Sequence, residues 1–306
     1  MRNTLLSLIL ISAVMALLVI RVVHAEEPPS AGAASRSDTS YLESEKPAHQ
    51  MSVDEITRHL ANPVSSIWAL EFQFNNYFLE GAPSDKTRFQ SLVNFQPVLP
   101  LHLTKDLNLI VRPVLPFIFT SPVFTPGEGF SQKSGFGDMA LVTFLSPRHA
   151  GNWILGVGPT FIFPTAGKDE RLGQGNWQLG PGGVFGYYNK KWLALVFPQQ
   201  WWKYAGEGPA TSQANIQYIL FRFIPGGWQV GTAPNILIDW KAVNDNKVTF
   251  PVGLQVGKTV KFGRLPVNFS IQGQWMPWHP DTLSQRWNIQ LVIKPVIPSL
   301  IPGTIF

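Results

Sequence analysis

The sequence predicts an all-β fold: a transmembrane antiparallel up-and-down β-barrel of about twelve strands. Three observations carry that expectation. First, from about Trp68 to Lys294 the chain alternates apolar and polar residues in stretches of ten or so, each followed by a turn. Trp68, Leu70, Phe72 and Phe74 alternate with Ala69, Glu71, Gln73 and Asn75; Val267, Phe269 and Ile271 alternate with Asn268, Ser270 and Gln272. A period of two means strands with one apolar and one polar face. Second, the connections alternate in length, as they do where short periplasmic turns face longer outer loops. Third, the eleven tryptophans fall at strand ends and none in mid-strand. Amphipathic rings prefer the headgroup level of a bilayer, so two girdles are expected.

The strands read 66–79, 87–99, 106–119, 136–146, 152–164, 175–187, 191–203, 212–223, 227–239, 246–258, 265–277 and 284–296. Short connections lie at 100–105, 147–151, 188–190, 224–226 and 259–264. Long ones lie at 80–86, 120–135, 165–174, 204–211, 240–245 and 278–283. An even count suits a single-chain bacterial barrel and places both termini on the periplasmic side. Trp68, Trp153, Trp192 and Trp228 then mark the periplasmic girdle. Trp177, Trp201, Trp202, Trp240, Trp275, Trp278 and Trp287 mark the outer one.

The start of the chain has the form of an export signal. Arg2 precedes an apolar run over 4–20, and Val23-His24-Ala25 forms a small-residue cleavage site, giving a signal peptide over 1–25. The competing reading is an uncleaved anchor, since the run is just long enough to span. Residues 26–61 read as a periplasmic leader whose first half is rich in Glu, Pro, Ser and Ala. It ends in a short helix: Ser52 and Glu55 form a capping box, Val53, Ile56 and Leu60 share a face, and Asn62-Pro63 stops it. That helix either closes the barrel mouth from outside or plugs the lumen. The barrel domain spans 62–297 and a tail follows over 298–306.

Composition excludes several classes. With no cysteine, an exported chain has neither disulfides nor thiolate metal sites. The formal charge of +5 includes Arg2 and Arg21, and no basic run exists, so nucleic acid is not an expected partner. The six histidines never pair at ligand spacing on a strand, so no metal site is expected. His279 and Ser284 share a loop without the strand geometry of a catalytic dyad, and no phosphate-cradling loop is present. The chain is therefore expected to be no enzyme and to hold no cofactor.

What remains is the polar face. Glu71, Gln73, Arg88, Asn94, Arg112, Asp138, Gln178, Asn215, Gln217, Asn235, Asp239, Gln272, Gln274 and Gln290 are the expected pore-lining residues. Glu71 with Arg88, and Arg112 with Asp138, are the expected ion pairs. Twelve strands lie between the roughly eight that leave a filled interior and the roughly sixteen that leave an aqueous channel. Width alone thus leaves a satisfied, filled lumen and a conducting path both open. Pro97, Pro113, Pro159, Pro181, Pro198, Pro234 and Pro251 inside strands suggest a shared zone of bulging. Glycines on the polar face suggest either strong curvature or spare lumen space.

Several segments resemble a family of uncharacterised Gram-negative outer-membrane proteins labelled as transporters, which is similar to the meta-pathway phenol degradation family. The matching pieces are Asn62-Pro63 leading into 72–77, then 94–100, 109–116, Gly135-Phe136-Gly137-Asp138, Gly156-Val157-Gly158-Pro159, 163–166 and 202–206. The likeness covers most of 60–296, and its motifs are structural rather than catalytic. It implies an outer-membrane barrel allowing passage of small solutes, apolar or aromatic ones included. The expected partners are outer-membrane lipid, the barrel assembly machinery and a small solute. The alternative is a non-conducting structural or adhesion barrel that binds partners through its outer loops. The chain ends in Phe306, as barrel assembly signals often do, but Pro298 and Pro302 break the alternation before it.

Overall fold

The structure is a computed structural model that describes residues 50–166, 171–299 and 301. The signal peptide, most of the leader, residues 167–170 and all but three residues of the tail lie outside the described residues. A short helix α1 (Val53–Ala61) precedes β1 (Ala69–Glu80), β2 (Arg88–His102), β3 (Leu107–Thr125), β4 (Gly129–Phe136), β5 (Met139–Pro147), β6 (Trp153–Phe163) and β7 (Asn176–Tyr188). Then follow β8 (Trp192–Gly206), β9 (Ser212–Ile224), β10 (Trp228–Thr232), β11 (Asn235–Asp239), β12 (Val248–Phe262), β13 (Leu265–Trp278) and β14 (Ser284–Pro295). None of the described helices is long and apolar enough to cross a membrane.

Two wall strands are interrupted. β4 and β5 both pair with β3 and are separated only by Gly137 and Asp138. β10 and β11 both pair with β9 and are separated by Ala233 and Pro234. The fourteen segments therefore make twelve wall strands, each antiparallel to its neighbours. β1 pairs with β14, so the sheet closes on itself and leaves no edge. The expected loop at 120–135 is instead mostly strand. β3 runs on to Thr125 and β4 returns from Gly129, so this hairpin is longer than its neighbours. Its residues 129–135 lack the apolar alternation of the other strands, which is why the pattern missed it.

The wall is inside out relative to a soluble protein. Val157 is 65% exposed, Leu254 63% and Ile271 56%, while Thr160, Gln255 and Gln272, on the opposite face of the same strands, are buried. Nine tryptophans lie partly or largely exposed on the outer face near strand ends. Trp68 and Trp201 are the exceptions: both are buried, and Trp68 donates its indole N–H to the Pro100 carbonyl at 3.0 Å. These two belong to the interior, not to the girdles.

The in-strand prolines do not form one zone of bulges. Pro159 and Pro181 face each other across β6 and β7 in unbroken register. The β7–β8 ladder skips rungs around Pro181 and Pro198 without changing register, because proline has no N–H to donate. Only Pro251 coincides with a shift, between Phe250 and Val252, and Pro234 splits β10 from β11. The inward glycines serve close strand approach. A Cβ at Gly158 would run into the Thr143 carbonyl oxygen, and one at Gly180 into that of Gln200.

Candidate functional site: a divided lumen

Cross-strand pairing places side chains on a common face, so the ladder decides what shares the lumen. Asn75, Gln290, Gln272 and Gln255 form one row across β1, β14, β13 and β12. Tyr77, Asn288, Gln274 and Gly253 form the next row. Glu71 stands opposite Gln96, and Gln73 opposite Asn94. All of these are buried or partly buried.

Their amides bond to one another. Gln290 and Asn288 donate to Asn75 Oδ1 at 2.9 and 3.2 Å. Gln73 Oε1 accepts from both Asn94 and Gln96 at 3.2 Å. Both side-chain polar atoms of Gln272 are buried without a partner in this row. An unpaired buried amide is costly unless it meets water or a ligand, so the row is a surface built to be wet.

At the base of this polar wall sits a buried ion cluster. Lys294 Nζ lies 2.9 Å and Arg112 Nη2 3.4 Å from the same oxygen of Glu71. Arg112 also donates to Gln96 Oε1 at 2.8 Å, and its Nε is buried without a partner. Two cations share one carboxylate, so the cluster carries one net positive charge. The expected Glu71–Arg88 pair does not form. Across the β1–β2 hairpin Glu71 meets Gln96, whereas Arg88 meets Leu79 near the longer connection. There Arg88 Nε donates to Ser84 Oγ at 3.0 Å and its guanidinium lies 4.0 Å over the Phe130 ring.

The expected Arg112–Asp138 pair is likewise absent. Asp138 occupies the break between β4 and β5, where it accepts from the backbone N–H groups of Ala166 and Gln174 at 3.2 and 2.6 Å. It pins a long loop rather than facing Arg112. Gln178 is fully buried in an amide network with Gln174, Thr211 and Gln213. Asp239 is exposed at the end of β11 and accepts from Lys241 N–H. Asn235 stands opposite Gln217, which donates to the Ala233 carbonyl at 3.1 Å; Asn215 lies opposite Gln199.

The other half of the interior was missed from sequence. Val98, Ile110, Val142, Phe144, Ile154, Val184, Leu193, Leu195, Phe197, Ile219, Phe221 and Phe223 form one buried apolar cluster on β2 through β9. The signal was present as runs apolar at every position, Trp192–Phe197 and Ile219–Phe221 among them. Such runs bury both faces. Here one face meets the exterior and the other covers Ala61 and Val64.

Those two residues belong to the segment that occupies the mouth. Ser52 caps α1 reciprocally with Glu55: Ser52 Oγ accepts from Glu55 N–H at 3.1 Å, and Glu55 Oε2 accepts from Ser52 N–H at 2.6 Å. Ile56 and Thr57 are fully buried. Thr57 Oγ1 lies 2.7 Å from Thr259 Oγ1, and Asp54 accepts from Gly227 N–H at 2.6 Å. Lys261 and Lys294 donate to the carbonyls of Met51 and Leu60 at 2.5 and 3.1 Å. α1 is therefore seated within the mouth against β9, β10, β12 and β13, not laid across its outside. His59 is partly buried beside Ser65 Oγ at 3.1 Å. Burial, helped by Arg58 and opposed by Glu55, lowers its pKa to about 4, so its imidazole is neutral near pH 7.

Between α1 and the wall lies a cavity of about 70 Å³, bounded by His59, Leu60, Glu71, Gln73, Arg112, Gln217, Ile219, Phe221 and Lys294 among others. At about 10–15 Å³ each it holds roughly five waters. The candidate dyad has the wrong polarity. His279 Nδ1 is 3.1 Å from Ser284 Oγ, but the Ser284 hydroxyl donates to the Pro280 carbonyl at 2.8 Å, so its proton is not offered to the imidazole. Among the described residues no three metal-ligating side chains stand together.

No family model matches the sequence, and no curated protein matches it. Solved structures do match in fold. An outer-membrane channel from Pseudomonas putida F1 superposes with a TM-score of 0.53 at 17% identity, covering 76% of this chain and 94% of that one. The β domain of the Bordetella autotransporter BrkA gives 0.44 at 11% identity, covering 76% and 100%. Phospholipase A of the Escherichia coli outer membrane gives 0.36 at 10%, covering 76% and 91%. The chain has the closed-barrel fold of the first.

Proposed function

We propose that the chain is an outer-membrane barrel that passes small solutes, with both termini periplasmic and α1 as the element that must move. One observation carries this: the closed wall turns leucine, valine and phenylalanine outward and a continuous row of amides inward. In water that arrangement exposes its apolar surface and buries its polar surface at a cost on both counts; in a bilayer both become favourable. The apolar half of the lumen fits solutes with an apolar or aromatic body, in keeping with the resemblance to the transporter-labelled and phenol-degradation families. Outer-membrane lipid and the barrel assembly machinery are the partners this reading requires, and it assigns no catalysis.

The test is solute flux through the full-length protein refolded in liposomes, together with single-channel conductance in planar bilayers. Flux above that of empty liposomes supports the reading. No flux and no conductance, with α1 intact and with α1 released by deleting 26–61, overturns it. The small cavity beneath α1 favours a second reading, a permanently filled structural barrel, and the same experiment decides between them.

A further inference from the structure

We propose that α1 and the residues after it occupy the seat of an amphipathic organic monoanion, and that such an anion enters the lumen by displacing them. This rests on the reading of the lumen as a solute path. Three observations converge on the class of ligand. The seat has two halves. Ala61 and Val64 cover an apolar wall that includes Ile110, Ile219 and Phe221. One residue away, the Leu60 carbonyl accepts from Lys294 at 3.1 Å.

Next, the cations there are under-compensated. Lys294 and Arg112 share the single carboxylate of Glu71, and Arg112 Nε is a buried donor with no acceptor. Leu60 supplies only the partial negative charge of a helix C-terminus, roughly half an elementary charge shared over the last turn. A carboxylate supplies a full charge and more acceptor sites, and it can satisfy Lys294 and Arg112 together.

Finally, the segment has the outline of the ligand it stands for: an apolar body followed by an electron-rich oxygen. Residues 62–65 form a turn closed by the Ser65 N–H on the Asn62 carbonyl at 3.2 Å, so the apolar body is compact. One or two fused aromatic rings bearing one carboxylate make a body of that compact kind. Glu71 sets the charge limit, because a second negative group would stand against its carboxylate. A neutral isostere fits the apolar half but leaves the surplus positive charge unanswered.

The test is hydrogen–deuterium exchange of the backbone amides of α1 in the full chain, refolded in phosphatidylcholine vesicles. Three probes are added separately: 2-naphthoate, its neutral isostere 2-naphthamide, and inorganic phosphate. Naphthoate is expected to speed exchange over 53–61 at least tenfold, while naphthamide and phosphate leave it unchanged. Lys294→Met should abolish the response and Lys294→Arg should keep it. An equal response to naphthoate and naphthamide, a response to phosphate alone, or no response to naphthoate each overturns the proposal. These outcomes come from the unaltered chain, so they stand even where Lys294→Met does not fold. Selective displacement without solute flux defeats the transport reading and leaves this one intact; flux without displacement by the anion does the reverse.

Discussion

Replacing Ile271 by Arg separates a lipid-facing wall from a water-facing one by the sign of its effect. Ile271 lies midway along β13 and is 56% exposed, with Leu291 as its cross-strand neighbour on the same face. If that face meets water, exchanging an exposed isoleucine for arginine changes stability by about 0.5 kcal/mol or less. If it meets the hydrocarbon centre, arginine costs about 2–4 kcal/mol. At 1.36 kcal/mol per decade this is roughly a 30- to 900-fold shift in the folding equilibrium. Depth supplies an internal control. Trp278, 41% exposed at the end of the same strand, is near the interface, where arginine costs only about 0–1 kcal/mol. Urea titration of the refolded barrel in lipid vesicles measures both variants. Equal stabilities for Ile271→Arg and the parent, or a larger loss at Trp278 than at Ile271, would refute the inside-out wall.

Three further expectations follow from other parts of the molecule. His59 is partly buried and neutral near pH 7, with a pKa lowered from about 6.5 to about 4. The unfolded or unseated chain then binds the extra proton first, so the seating of α1 is full above pH 6.5 and weakens as pH falls toward 4. Exchange rates over 53–61 should rise in that window and His59→Gln should flatten the slope; an unchanged profile in His59→Gln would place the sensitivity elsewhere. Gly180→Ala drives a methyl into the Gln200 carbonyl and should cost about 1–3 kcal/mol or prevent closure, whereas Gly273→Ala, with open space around it, should be neutral by the same urea assay. For orientation, cysteine at Glu128 should label with an impermeant maleimide on intact cells and cysteine at Arg264 should not, although both side chains are exposed; the opposite result inverts the barrel.

Strands and connections were legible because a bilayer enforces the period of two wherever one face meets lipid. Where that constraint lapses, so does legibility. The β3–β4 hairpin beyond Phe119 carries Ser131, Gln132 and Lys133 without apolar alternation, and it read as loop. Ion pairing failed for a different reason. Glu71 and Arg88 lie on neighbouring strands, but the hairpin about 81–87 fixes Glu71 against Gln96. Counting outward from the turn would have found this. Lys294 could not be found that way, since only closure of β14 on β1 brings it to Glu71. The apolar half of the lumen was written in runs such as 192–197, but alternation is the wrong template for a strand with two apolar faces. Trp68 and Trp201 show the limit of end-placement as evidence: position along a strand says nothing about which face a ring takes.

The seat of α1 also orders events in time. Gly227, Thr259, Lys261 and Lys294, which hold it, lie on β14 and β12 and in the turn before β10. The helix precedes every described strand, yet its binding surface is not complete until β14, which carries Lys294, is in place. Among the described elements it is thus the first to emerge from synthesis and the last to dock. A barrel that has not closed cannot hold its own helix, so an unprotected α1 is a direct report of incomplete assembly.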